Sequence, residues 1–175
     1  PRGGHGENCA IILCQLLCAS IRHLRWPATR LVALHLMTRL GELLDDDDEA
    51  RLQRLTPHCL ALLGDECAAV RAAALRALCA VLARVDEFPP SDAAVFPRYI
   101  LDHPALRRLH ADPEESVRVA FAETVGHLAA MTGDATRISS GLRACLDERS
   151  RLAYLDAALA GGSRSFDKFD ARNRA

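Results

Sequence analysis

A repeat constrains this chain more than any other feature. The stretches "TPHCLALLGDECAAVRAAALRALCAVL" from Thr56 and "HPALRRLHADPEESVRVAFAETVGHLA" from His103 align without a gap, 47 residues apart. Pro57 falls on Pro104, Leu62 on Leu109, Asp65 on Asp112, Val70-Arg71 on Val117-Arg118, and Ala73 on Ala120. A weaker, earlier copy begins at Trp26. With Arg30 placed on Arg71, Leu34 falls on Leu75 and Met37 on Leu78, but the aspartate is missing. A unit of this length cannot bury its apolar face alone, so neighbouring units must bury it for one another.

Each unit reads as two helices. Half of the residues are hydrophobic, Ala and Leu dominate, and only 5% are aromatic. That mixture favours helix over sheet. In the second helix of the unit, Val70, Ala74, Leu78 and Val81-Leu82 recur at three- to four-residue spacing and form one apolar face. Asp65 and Asp112 suit an N-cap, or the turn before one, because a carboxylate accepts the orphan N–H groups there. Pro113, directly after Asp112, is tolerated at a helix start. The spacing predicts helices over 7–24, 28–44, 48–63, 66–86, 93–109, 114–132 and 141–160. The expected fold class is all-α, a HEAT-repeat α-α superhelix of about three to four helix pairs. Units are expected at 7–44, 48–86 and 93–132 within a repeat region 1–133. A further helix or diverged repeat follows at 134–160, and a polar, flexible tail at 161–175.

Arg30, Arg71 and Arg118 fall at the same point of successive second helices. In a stack they line up within reach of the inter-helix turns. One reading is a structural ladder in which Arg bonds Asp or turn carbonyls. The other is a basic stripe for phosphate. The ladder is preferred because Asp65 and Asp112 repeat with the same period. The five acids Asp45 to Glu49 read as a solvated helix start, where the helix dipole favours them, in preference to a cation site.

Catalytic signatures are missing. The sequence has no Gly-rich phosphate loop, no GxSxG and no HExxH. His58-Cys59 could mimic a nucleophile and base, but adjacent helical residues point to different faces. Cys14 and Cys18 share a helix face, yet no CxxC or HxxxH completes a ligand set. The seven cysteines read as reduced core thiols of an intracellular protein. A net charge of −1 provides no global field for nucleic acid or an anionic membrane. The greasiest run, Cys9 to Ile21, is too short for a membrane span and lacks the flanks of a signal peptide. Pro1 in place of an initiator Met reads as a piece of something longer, with any N-terminal address out of view.

The stretch "SDAAVFPRYIL", Ser91 to Leu101, reads as extra length at the front of a first helix. Ser91 or Asp92 caps it, Pro97 bends its entry, and Phe96, Tyr99 and Ile100 face the stack.

Four pieces together carry a family resemblance. They are Asp65 to Arg76, Ser91 to Leu101 with its Phe-Pro-x-Tyr-Ile-Leu, Val117 to Glu123, and Arg30 to Leu34. Over about residues 8–133 the chain resembles the HEAT region of the regulatory subunit of class III phosphatidylinositol 3-kinase, the protein-kinase-like vacuolar sorting family. The resemblance implies a longer protein with an N-terminal serine/threonine kinase-like domain, central HEAT repeats and a C-terminal β-propeller. Only the HEAT part corresponds to these residues, so no catalytic, cofactor or metal residue carries over. The implied role is a non-catalytic scaffold in a complex serving autophagy and endosomal or vacuolar sorting. Its implied partners are the catalytic lipid kinase subunit and coiled-coil subunits, with no nucleic acid and with membrane contact only through the complex. The implied location is cytoplasmic, peripheral to endosomal and autophagic membranes. A HEAT module of another class, such as a phosphatase scaffold or a transport adaptor, fits the generic Val-Arg units equally well. An enzyme in its own right needs a site that the sequence does not contain.

Overall fold

A computed structural model of the chain describes residues 5–44, 48–85, 99–132 and 141–172, and the regular structure among them is all helical. The chain divides into two compact units, Pro1–Ala93 and Ala94–Ala175.

In the first unit, α1 (His5–Ser20) ends in a 3₁₀ turn, Ile21–His23. α2 (Pro27–Leu43) starts on a proline, whose missing N–H is one that the first turn would leave unbonded anyway. α3 (Asp48–Ala50) runs into a π-turn, Arg51–Leu55, and then α4 (Thr56–Leu62). The Arg51 carbonyl accepts the Thr56 N–H five residues on, and also the Thr56 hydroxyl at 3.0 Å. The sequence predicts an unbroken helix over 48–63, and the five-residue bond is a wider turn within it. α5 (Ala68–Leu82) follows. It is rich in alanine and free of Gly and Pro, so backbone propensity alone favours helix there.

The core of this unit lies between α2, α4 and α5. Leu34, Met37, Leu55, Cys59, Leu63, Val70, Leu75, Leu78 and Leu82 are all buried. Burying one such leucine is worth about 1.5–3 kcal/mol. α2 approaches α5 closely at Gly41, where an added Cβ would lie 3.3 Å from Val81 Cγ2.

The second unit opens with a helical turn at 99–101, then α6 (Pro104–Arg108), a 3₁₀ turn (Leu109–Ala111) and α7 (Glu115–Thr132). The predicted single helix over 93–109 is therefore divided. His103 is extended because a residue before proline is pushed out of the α region. Tyr99 points outward in the turn before the break. It is 59% exposed and meets the His103 ring edge-on at 6.0 Å, while Ile100 takes the buried place. The expectation that Tyr99 faces inward is corrected accordingly. Ser91, Asp92, Phe96 and Pro97 lie outside the described residues.

The predicted helix over 141–160 is also divided. A turn at 141–144 is followed by a break at 145–147, and α8 (Glu148–Arg172) begins afresh. The break shifts the helical phase. Cys145 is buried, whereas Leu152, Leu155 and Leu159, which an unbroken helix over 141–160 would carry near the same face, are exposed. α8 continues to Arg172, past the point where the pattern predicts a tail. α8 packs along α7 through Tyr154, which is buried with Ala122 and Cys145. Gly126 makes that approach possible: an added Cβ would lie 2.5 Å from the Tyr154 carbonyl oxygen and 3.2 Å from Ala157 Cβ. Gly141 sits under the same tyrosine ring.

Candidate functional site: arginine joints at the helix junctions

α2, α5 and α7 each carry an arginine at the fourth helical position: Arg30, Arg71 and Arg118. Each reaches back over its own helix start to the same two carbonyls, six and five residues earlier. Arg30 Nη1 donates to Leu24 at 3.2 Å and Arg25 at 2.8 Å. Arg71 Nη1 donates to Asp65 at 2.8 Å and Glu66 at 3.1 Å. Arg118 Nη1 donates to Asp112 at 2.8 Å and Pro113 at 3.0 Å. The residue preceding α2 and that preceding α5 are extended, Trp26 and Cys67, so the chain enters those helices through a corner. The guanidinium fork satisfies carbonyls at each corner that the helix cannot.

The aspartates stabilise the same corners from the other side. Asp65 Oδ1 accepts the Cys67 N–H at 2.9 Å, and Asp112 Oδ1 accepts the Glu114 N–H at 3.0 Å. Both bonds reach two residues on, the geometry of an Asx turn. Asp65 therefore stands in the turn ahead of α5, with Cys67 directly before the helix. Pro57 and Pro104 lie exposed in the first turns of α4 and α6, while Val70 and Val117 are fully buried.

Two arginines also cross to a later turn. Arg30 Nη2 donates to Asp65 Oδ1 at 3.0 Å, and its Nε lies 2.7 Å from Oδ2, too poorly aligned for a second hydrogen bond. The two side chains are only 10% and 7% exposed, so the pair is shielded from water. Glu66, on the rim 3.6 Å away and well exposed, adds little. Arg118 Nε donates to Asp147 Oδ2 at 3.0 Å. Asp147 Oδ1 caps α8 by accepting the Ser150 N–H at 2.8 Å. That backbone bond, then the Arg118 side chain, holds the Asp147 carboxyl below the usual carboxylate range.

Sequence reasoning missed two members. Asp147 stands 35 residues after Asp112 in place of 47, and no Val-Arg follows it, so the repeat register passes over it. The Asp-x-x-Ser capping spacing is the signal that marks it. Arg51 is buried, with Nε donating to the Gly41 carbonyl and Nη1 to Asp48 Oδ1, both at 2.9 Å. It ties the end of α2 to the start of α3. Its three-residue spacing from Asp48 could have indicated this. Arg30 and Arg118 spend their donors on protein carbonyls and carboxylates, which leaves the phosphate-stripe reading without those two cations.

Thiol chemistry is suppressed where the cysteines are buried. Burial pushes the Cys59 thiol up to about 12, and a hydrogen bond with Cys14, followed by burial, raises Cys18. Among the described residues no group of three or more His, Cys, Asp or Glu could hold a metal ion. Nor is any helix there long and apolar enough to cross a membrane.

These corners define a class: an all-helical protein with arginine and aspartate tying its helix junctions. The chain belongs to the PIK3R4-like middle-domain family, which matches residues 13–159. It is similar to the serine/threonine-protein kinase VPS15 of Arabidopsis thaliana, 44% identical over 119 residues, covering 68% of this chain and 8% of that protein. It is also similar to the probable serine/threonine-protein kinase vps15 of Dictyostelium discoideum, 38% identical over 117 residues, covering 65% and 6%. The putative VPS15 kinase of Komagataella pastoris is 33% identical over 121 residues, covering 69% and 9%. The chain thus spans less than a tenth of the length of each of these relatives.

Proposed function

We propose that this chain is a non-catalytic HEAT-type scaffold segment of the regulatory subunit of a class III phosphatidylinositol 3-kinase complex, acting in autophagy and in endosomal or vacuolar sorting. The observation that carries the reading is the corner geometry in a chain of this family. A scaffold has to keep its helix pairs at fixed relative positions. Arg30–Asp65 and Arg118–Asp147 tie a helix of one pair to the turn of the next, the first pair nearly buried and the second partly exposed. The segment holds the catalytic lipid kinase subunit and coiled-coil subunits in place through exposed helix faces and inter-helix turns. It works in the cytoplasm, reaching endosomal and autophagic membranes through the complex. On this reading, the kinase named in its relatives belongs to sequence outside the matched part. Co-purification of the folded segment with the catalytic lipid kinase subunit tests the proposal. Failure of a demonstrably folded segment to associate overturns it.

A further inference from the structure

The outward side of α8 is not used by the corners. Ser150 and Tyr154 are buried, with Tyr154 packed against α7. Leu152, Leu155 and Leu159 are 57%, 38% and 71% exposed. At about 100° per residue the three leucines share a strip about 60° wide, roughly opposite Ser150 and Tyr154. Their spacing, three then four, is that of a coiled-coil seam. The seam is flanked by Arg151 on one side and Asp156 on the other. Both are exposed, and neither side chain makes a hydrogen bond or ion pair among the described residues. Arg151 stands at the fourth position of α8, the place held by Arg30, Arg71 and Arg118 in their helices, yet among the described residues it grips no turn.

We propose that this strip is a self-association seam, on which α8 of a second copy of the chain packs in parallel and in register. Charge placement selects the occupant and its direction. In a parallel pair, each residue flanking the seam on one side faces the partner residue five positions later on the other side. Arg151 then meets Asp156 of the second copy, and Asp156 meets its Arg151, giving two opposite-charge pairs from two idle residues. In an antiparallel pair, like flanks face each other, so Arg151 finds no opposite charge and Asp156 meets Arg149, which is already paired with Glu115 at 3.3 Å. Three leucines make a short seam, so the association is weak and concentration-dependent. The inference stands on α8 alone and is independent of the scaffold proposal.

Sedimentation of the 175-residue chain under reducing conditions, from low micromolar to near-millimolar concentration, tests it. The weight-average mass is expected to rise from 19.1 kDa toward twice that value. Leu155→Asp with Leu159→Asp should hold the chain at the monomer mass with unchanged helical circular dichroism, since both leucines are exposed. Arg151→Asp and Asp156→Arg should each weaken association by about tenfold, and the two together should restore it. A mass that stays at 19.1 kDa throughout overturns the proposal. So does association that survives the leucine changes. If the charge variants weaken association singly but the pair does not restore it, the parallel arrangement is wrong.

Discussion

Arg30, at the start of α2, and Asp65, in the turn ahead of α5, form a shielded ion pair 35 residues apart in sequence. Each member also has a local duty. Arg30 holds the carbonyls of its own corner, and Asp65 holds the Cys67 amide of its own. A change at either residue therefore loosens a corner and a joint together.

Removing one partner leaves the other charged and buried. Asp65→Ala and Arg30→Ala should each lower unfolding free energy by about 3–5 kcal/mol. Urea unfolding of both single variants and the double variant gives the coupling. The double variant should lose clearly less than the sum of the singles, because the pair term is counted once. Full additivity would mean that the contact carries no energy.

Asp147 sets a pH dependence in the second unit. Its carboxyl sits below the usual range in the folded chain, so it binds a proton less readily folded than unfolded. Its contribution is present above the unfolded value near 4 and is lost as pH falls through the lower folded value. Asp147→Asn should flatten the acid limb of a stability–pH curve and leave the neutral-to-alkaline part with the same slope. An unchanged acid limb would remove Asp147 from the joint.

Gly126→Ala should be costly although alanine is the better helix former. The added methyl meets the Tyr154 carbonyl and Ala157 on α8, and backbone cannot step aside as a side-chain tip can. Overpacking of this kind costs about 1–3 kcal/mol, against about 1 kcal/mol gained in propensity. Thermal unfolding followed by circular dichroism should show a lower midpoint. The same change at Gly64, which has open space around it, should do no such harm.

Thiol labelling should separate the cysteines by burial. Cys59 is buried and stays protonated far above neutral pH, whereas Cys9 is exposed. Iodoacetamide at neutral pH should modify Cys9 in the folded chain and Cys59 only after denaturant is added. Mass spectrometry of peptides reads both. Early modification of Cys59 would place it at the surface.

The repeat was legible because backbone corners recur with fixed chemistry. Asp65 and Asp112 mark their turns, and Val70 and Val117 mark the first buried position of the following helix. Helix phase was legible wherever a helix ran unbroken, as in α5. It failed at His103 and again at 145–147, where the chain leaves the helix for two or three residues. A short break rotates everything beyond it, so the three leucines of α8 present another face than an unbroken helix would give them. Arg51 and Asp147 stayed hidden for a different reason. Spacing marks their local partners, Asp48 and Ser150, but their distant partners, Gly41 and Arg118, are fixed by the tertiary path of the chain.

The basic residue at every corner is arginine, and the chain as a whole has 22 basic residues with Lys168 the single lysine. A guanidinium stays charged across the biological pH range and does not undergo lysine acetylation or ubiquitin attachment. The corners are therefore closed to amine-directed enzymes. The sequence offers an amine-reactive fluorophore or surface linker one lysine, well removed in sequence from Arg30, Arg71 and Arg118. The chain can be immobilised or labelled there while every corner keeps its native chemistry.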